Sequence, residues 1–371
     1  MKSTKRHEKN ARIFIILGTK AQLTKMAPIM LEFDKQKIPY KFIFTGQHKE
    51  TINKLELDFK IRKPDFVLYK GKDITSILKM SFWACKIIIK ALLNKRKIFG
   101  REKNRVILVH GDTFSTLIGA IIGKLAGLKV GHVEAGLRSF NYKNPFPEEI
   151  IRVMVFKMAD YFFCPGNWAL KNLKPYKGIK INLNSNTLLD ALNLAAMAKK
   201  SSKLSIPEEK YCVCSIHRFE NIFNKNRLKD IVEKIKMISS DLKVVFILHL
   251  PTEKKLKEHN LFSELKNNKN IEIRKRYGYF DFIKLISSSE FLISDGGGNQ
   301  EEASYLGLPV LLFRNTTERR EGLGKNAFLS HMDEKKIKQF LKNIDKFKTN
   351  KAKIKKSPSL IVAEFLKKEF T

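Results

Sequence analysis

Short, almost purely apolar runs recur along the chain, and each breaks into glycine or a polar turn ahead of a stretch with helical periodicity. The first is Arg12-Ile-Phe-Ile-Ile-Leu17, whose length and β-branched content predict a buried strand ending at Gly18-Thr19, before a helix expected from near Leu23. Further strands are predicted from Tyr40 to Thr45, Val106 to Val109 and Lys129 to Val133. A lysine- and serine-containing stretch from Asn193 to Ile206 closes on Pro207 as a hinge, and the alternation then restarts. Strands follow from Tyr211 to Ser215, Lys243 to Leu248, Ile271 to Arg274, Phe291 to Ser294 and Pro309 to Phe313. Alternation at this spacing predicts parallel sheets covered on both faces. The chain therefore reads as α/β, with two Rossmann-like doubly wound domains (1–195 and 196–356) and a cleft between them, followed by an amphipathic helix over 357–371 striped by Leu360, Val362, Phe365 and Leu366.

A length of 371 residues suits two domains, each able to bury its own core. Cys85, Cys164, Cys212 and Cys214 are scattered, with spacing for neither a zinc knuckle nor a redox pair, and read as reduced and buried. The amino terminus has no apolar core of a secretory signal and no apolar run is long enough to span a membrane, so a cytoplasmic protein is expected. A formal net charge of +35 is compatible with an anionic substrate, a nucleic acid or a membrane surface, or with a merely solvated basic exterior. The absence of a zinc finger, an RNA-recognition signature or an aromatic-basic patch argues against nucleic acid. The stretch from Ile77 to Arg101, with Phe82, Trp83, Ile87 and the basic Lys95-Arg96-Lys97, reads as a helix covering the sheet; a weak peripheral membrane contact is the alternative.

Polar and glycine residues gather where predicted strands end, the place where open α/β sheets bind ligands. The first domain offers Gly111-Asp112-Thr113, His132-Val-Glu134-Ala-Gly136-Leu-Arg138 and Pro145-Phe-Pro-Glu-Glu149 with Arg152 beyond. The second offers His217-Arg218-Phe219-Glu220-Asn221 and Ser294-Asp295-Gly296-Gly297-Gly298-Asn-Gln-Glu-Glu302. Three glycines opening a helix expected from near Asn299 make an anion site suited to a diphosphate, with Glu302 one turn on to accept from ribose hydroxyls and a strand running out to Arg319. Asp112, Glu134 and Glu148, if they converge, would raise one another's pKa toward neutrality and so favour proton transfer; a helix cap or an ion pair with Arg138 or Arg152 is the alternative for any one of them.

These clusters, with Gly18-Thr19-Lys20 and Gly46-Gln47-His48, fall in the order and spacing of the non-hydrolysing UDP-N-acetylglucosamine 2-epimerases, which the chain resembles over residues 12 to 330. The resemblance implies the glycosyltransferase-B architecture, UDP bound mainly by the second domain, and a final helix crossing back onto the first. It implies C2 epimerisation of a UDP-N-acetylated hexosamine by anti elimination of UDP, through a glycal, with no metal or nicotinamide cofactor. Carried over by position, Asp112, Glu134 and Glu148 become acid/base groups and His217 the residue beside the pyrophosphate. Lys20, Lys25, Gln47, His48, Arg138, Arg152, Gly296, Gly297, Gly298, Glu302 and Arg319 become substrate-binding. The resemblance further implies a homodimer and service to polysaccharide biosynthesis. In many bacterial members a second UDP-GlcNAc binds near the positions of Gln47, His48 and His249.

The chain departs from that pattern at several places. Lys20 and Gln22 stand where the family usually has Arg and Glu, Ile151 where it has Asn, Phe219 where it has a second Arg, and Gly296 where it has Ser. Three alternatives share the fold: a hydrolysing 2-epimerase that releases free sugar and UDP, a UDP-sugar-dependent glycosyltransferase, and a UDP-sugar-binding protein without turnover.

Overall fold

Burial of the apolar runs organises two parallel sheets, seen in a computed structural model that describes residues 11–47, 52–71, 77–142, 146–199, 204–317 and 319–371. In the first unit, β1 (Ile13–Leu17), β2 (Tyr40–Phe44), β3 (Phe66–Val67), β4 (Val106–His110), β5 (Lys129–Val133), β6 (Tyr161–Cys164) and β7 (Ile179–Asn182) lie in the order β3-β2-β1-β4-β5-β6-β7. Every pairing is parallel, with Ile13 opposite Tyr40 on one side and Val106 on the other. All five side chains of β1 are fully buried, as a strand covered on both faces requires. Burying each such aliphatic side chain contributes about 1.5–3 kcal/mol. The core on one face gathers Phe14, Trp83, Phe99, Val109, Phe156 and Phe162.

The second unit repeats the plan with β8 (Tyr211–Ser215), β9 (Lys243–Leu248), β10 (Ile271–Lys275), β11 (Leu292–Ser294), β12 (Val310–Leu312) and β13 (Ala327–Leu329), in the order β10-β9-β8-β11-β12-β13. These pairings are parallel too. Its core includes Phe246, Phe291, Phe313 and Phe340. Two doubly wound α/β units are thus present, one comprising 1–191 with 354–371 and the other 192–353. In each sheet the strand order reverses once, between β1 and β4 and between β8 and β11, and such switch points open a crevice at the carboxyl ends of the strands.

The last helix, Pro358–Phe370, is capped by Ser357, whose side chain accepts from Leu360 N. It belongs to the first unit: Phe365 meets Tyr161 and Phe163 edge-on, and Ser359 N donates to Asp190 at 2.8 Å.

Several local expectations are corrected. The first helix starts at Lys20 rather than near Leu23, because Thr19 and Gln22 form a capping box. The glycine-rich helix starts at Gly297, two residues before Asn299. β3, β6, β7 and β13 are additional strands. Cys85 is exposed, whereas Cys164, Cys212 and Cys214 are buried, and all four are free thiols. The Ile77–Leu93 helix turns Trp83 and Ile87 into the core while Phe82 and Leu93 face outward. Among the described residues no helix is long and apolar enough to cross a membrane.

Candidate active site

At the first switch point, Gly18 ends β1 beneath two hydroxyls. A Cβ there would lie 1.9 Å from Ser115 Oγ and 2.2 Å from Thr45 Oγ1, so only glycine fits. Ser115 in turn donates to Gln47 Oε1 at 2.6 Å, which holds buried Gln47 beside β1. Gln22 ties the same turn to β4. Its Oε1 accepts from Gly18 N (2.9 Å) and Thr19 N (3.2 Å), and its Nε2 donates to His110 O (2.9 Å) and Thr116 Oγ1 (3.0 Å). A glutamate could supply the first pair of contacts but not the second, so the departure at this position has a structural use. Lys20 is half-buried in the first turn of the helix. His48 and Pro145 lie outside the described residues.

Lys25, one turn further along that helix, reaches Glu134 Oε1 at 2.7 Å, and His110 Nε2 stands 3.2 Å from Glu134 Oε2. Lys25, His110 and Glu134 are all buried. Glu134 follows β5 with φ +63°, a left-handed backbone that a branchless glycine adopts freely and a glutamate does not. Such a conformation costs on the order of 1–3 kcal/mol and is retained where it aims a functional group.

Asp112 follows β4 and forms an ion pair with Arg152. Arg152 also donates to fully buried Glu149 at 3.0 Å, and Arg138 Nε reaches the same carboxylate at 2.5 Å. Ser139 N and Phe140 N donate to Glu149 as well. Burial would push Glu149 up, but these donors outweigh it and hold the carboxyl below its usual range. Burial would likewise lower Arg152, yet Asp112 and Glu149 raise it. Beneath the Gly111 turn, His132 Nε2 meets Gly111 O at 2.7 Å, and burial drives the imidazole down to about 4.

The expected trio of carboxylates is therefore arranged differently from a mutually repelling cluster. Asp112 and Glu134, on the ends of adjacent strands, are each matched to a cation, while Glu148 stands half-buried in the first turn of the Glu148–Met158 helix. The sequence does not single out His110, places Glu149 only within its cluster and shows Gln22 only as a departure, yet all three contact the candidate site residues or their turns. Ile151 packs in the core. Among the described residues no cluster of His, Cys, Asp or Glu is arranged to hold a metal ion.

In the second unit, His217 follows β8, and Asp295 follows β11, at the second switch point. Gly296 caps the ten-residue helix Gly297–Leu306, which carries no acid in its first turn. A Cβ on Gly298 would meet nothing within 4 Å, so the amino end of this helix has open space in front of it. Gly296 is tighter: a Cβ there would approach His217 Cε1 and Asn299 Oδ1 at 3.0 Å. Glu302 is buried one turn on, as is Glu301, which forms an ion pair with Arg319, Oε2 to Nη1 2.9 Å. Arg319 is thus fastened to the helix carboxylate beside the one that drew attention in the sequence. Gln300 secures the same loop, donating to Arg319 O and Glu321 O and accepting from Thr317. Phe219, in place of the family's arginine, is exposed and stacks on Phe223 with centroids 4.2 Å apart.

Comparison with known proteins covers both units. A family model described as UDP-N-acetylglucosamine 2-epimerase matches residues 32–360. The UDP-N-acetylglucosamine 2-epimerase of Methanocaldococcus jannaschii is 36% identical over 88% of this chain and 90% of its own, and that of Bacillus subtilis 34% over 91% and 87%. Among solved structures, the M. jannaschii UDP-GlcNAc 2-epimerase in complex with UDP-GlcNAc and UDP aligns with a TM-score of 0.78 at 29% identity, covering 96% of this chain and 99% of that one. The Neisseria meningitidis enzyme bound to UDP-GlcNAc aligns with a TM-score of 0.80 at 27% identity, over 96% and 99%. On this breadth of match, carried by both units, the chain belongs to the UDP-N-acetylglucosamine 2-epimerase family of isomerases.

Proposed function

We propose that the protein interconverts UDP-GlcNAc and its C2 epimer UDP-ManNAc by elimination and re-addition of UDP. A carboxylate takes the C2 proton, the C2–H electron pair becomes the C1–C2 double bond, and the C1–O bond breaks to release UDP and leave a glycal. Protonation of C2 from the other face then lets a UDP phosphate oxygen re-form the bond at C1. Charge and atoms balance without an external oxidant, reductant or cofactor.

Asp112, Glu134 and Glu148 are the proton-transfer groups in this reading, and Lys25, Arg138 and Arg152 offset the charge they and the substrate bring. The open amino end of the Gly297–Leu306 helix takes the diphosphate, with His217 alongside and Glu302 facing the ribose. The observation that carries the reading is the pair of charge-compensated carboxylates on the ends of β4 and β5. Relatives solved with UDP-GlcNAc support the substrate class. Asp112→Asn, Glu134→Gln and Glu148→Gln should each slow interconversion by about a hundredfold or more, with UDP affinity little changed. Near-wild-type turnover in all three would overturn the assignment.

A further inference from the structure

Asp295 lies at the bottom of the second site, its side chain wholly inaccessible. Its carboxylate accepts from His217 N at 3.1 Å, Arg218 N at 2.9 Å and Asn221 Nδ2 at 2.9 Å, contacts that by themselves would make it a clamp for the turn after β8. One more approach sets it apart: Oδ1 stands 3.4 Å from His217 Nδ1, within ion-pair distance although no hydrogen bond joins the two atoms, so the carboxylate acts on the ring as a nearby charge. Two further neighbours hold the imidazole of His217, whose side chain is 34% exposed. It stacks on His249 with centroids 4.5 Å apart and planes 7° from parallel, and its Cε1–Nε2 edge lies beside Gly296, the cap of the Gly297–Leu306 helix.

We propose that Asp295 is a positioning residue for His217: its charge beside Nδ1 favours the proton on that nitrogen and so leaves Nε2 to face the diphosphate at the amino end of the Gly297–Leu306 helix. This rests on the reading of that helix end as the diphosphate site. A diphosphate leaving group is best assisted by a donor, and an imidazole with a carboxylate behind Nδ1 becomes a donor at Nε2 on gaining a second proton. Gly296 has a part in this, because a side chain at that position would push against the ring edge.

The surroundings set the direction of the titration. Burial lowers His217, Asp295 opposes that, Arg276 and Arg218 lower it further, and Glu220 raises it, for a net value below the ordinary histidine range. His249, also titratable, lies face to face with the ring and adds repulsion if both carry a proton. Removing Asp295 therefore lowers His217 again, so the protonated form is lost at lower pH.

The test combines two measurements on the full chain. Histidine-labelled protein, with His217→Gln for assignment, gives the tautomer and titration of His217 by nitrogen NMR; the expected neutral form carries its proton on Nδ1. In Asp295→Asn the His217 titration and the alkaline limb of kcat should both move down by about one pH unit, with kcat falling about tenfold and KM for UDP-GlcNAc changing less. A neutral Nε2–H form in the wild-type protein would overturn the proposal, even if Asp295→Asn does not fold. So would an Asp295→Asn protein whose His217 titration is unmoved. Should the wild-type protein show no turnover, the NMR arm still decides the placement of His217 separately from the functional reading.

Discussion

Replacing His132 by glutamine tests how burial beneath the Gly111 turn is coupled to pH. His132 is 1% exposed, and its Nε2 contact with Gly111 O fixes the neutral ring as the Nε2–H tautomer. Its value falls from 6.5 to about 4, first because of burial, against smaller raising effects from Gly111, Asp112 and Glu134. A histidine lowered on folding binds its proton more readily in the unfolded chain. Between these two values stability must therefore fall as pH falls, and above the unfolded value the effect vanishes. At about 1.36 kcal/mol per unit the full loss is about 3 kcal/mol, of which about 2 kcal/mol lies between pH 7.5 and pH 5.

Glutamine can still donate to Gly111 O but cannot titrate. Both tryptophans, Trp83 and Trp168, belong to the first unit, so their fluorescence during urea unfolding reports on the unit that contains His132. Other acid-sensitive groups, Glu149 among them, act in both proteins and cancel in the difference. Between pH 7.5 and pH 5 the wild-type protein should lose about 2 kcal/mol more than His132→Gln. Parallel pH profiles for the two would refute the assignment of a buried neutral imidazole.

Lys25→Met leaves Glu134 buried without the cation 2.7 Å away and should destabilise the first unit by about 3 kcal/mol, and adding Glu134→Gln should recover part of the loss. Urea unfolding of the single and double variants checks this, and an equal or larger loss in the double variant would contradict it. Gln22→Glu keeps the acceptor for Gly18 N and Thr19 N but loses the donor to His110 O, so a cost of about 1–3 kcal/mol is expected in the same assay. Unchanged stability would contradict this, and would mean that the bond Thr116 Oγ1 already donates to His110 O at 2.6 Å suffices alone.

The plainest strands in the sequence are those with long apolar runs, such as Ile13–Leu17 and the five residues after Lys243 in Lys243–Leu248, because a parallel strand covered on both faces has no polar side. Tyr161–Cys164 is equally buried but only four residues long and follows closely on a helix, where a short apolar run is ambiguous. Ile179–Asn182 lies at the sheet edge with Lys180 and Asn182 in it, and it leaves no apolar signature.

Candidate site residues could be picked out where a motif marks a strand end. Partnerships between strand ends could not. The amide of Gln22 matters because of His110, 88 residues away, and Asp295 because of His217, 78 residues away. Glu148 and Glu149 are neighbours in sequence that a helix turns to different sides, and only the three-dimensional arrangement shows that Glu149 holds Arg138 and Arg152. The same holds for Glu301 and Glu302, the first of which binds Arg319.

The most direct test of the central claim is proton NMR of UDP-GlcNAc incubated with the purified protein in D2O. Elimination and re-addition predict deuterium at C2 of both UDP-sugars, with UDP-ManNAc accumulating to equilibrium. Free N-acetylmannosamine with UDP would contradict re-addition, and a C2 proton that never exchanges would contradict epimerisation of this substrate altogether.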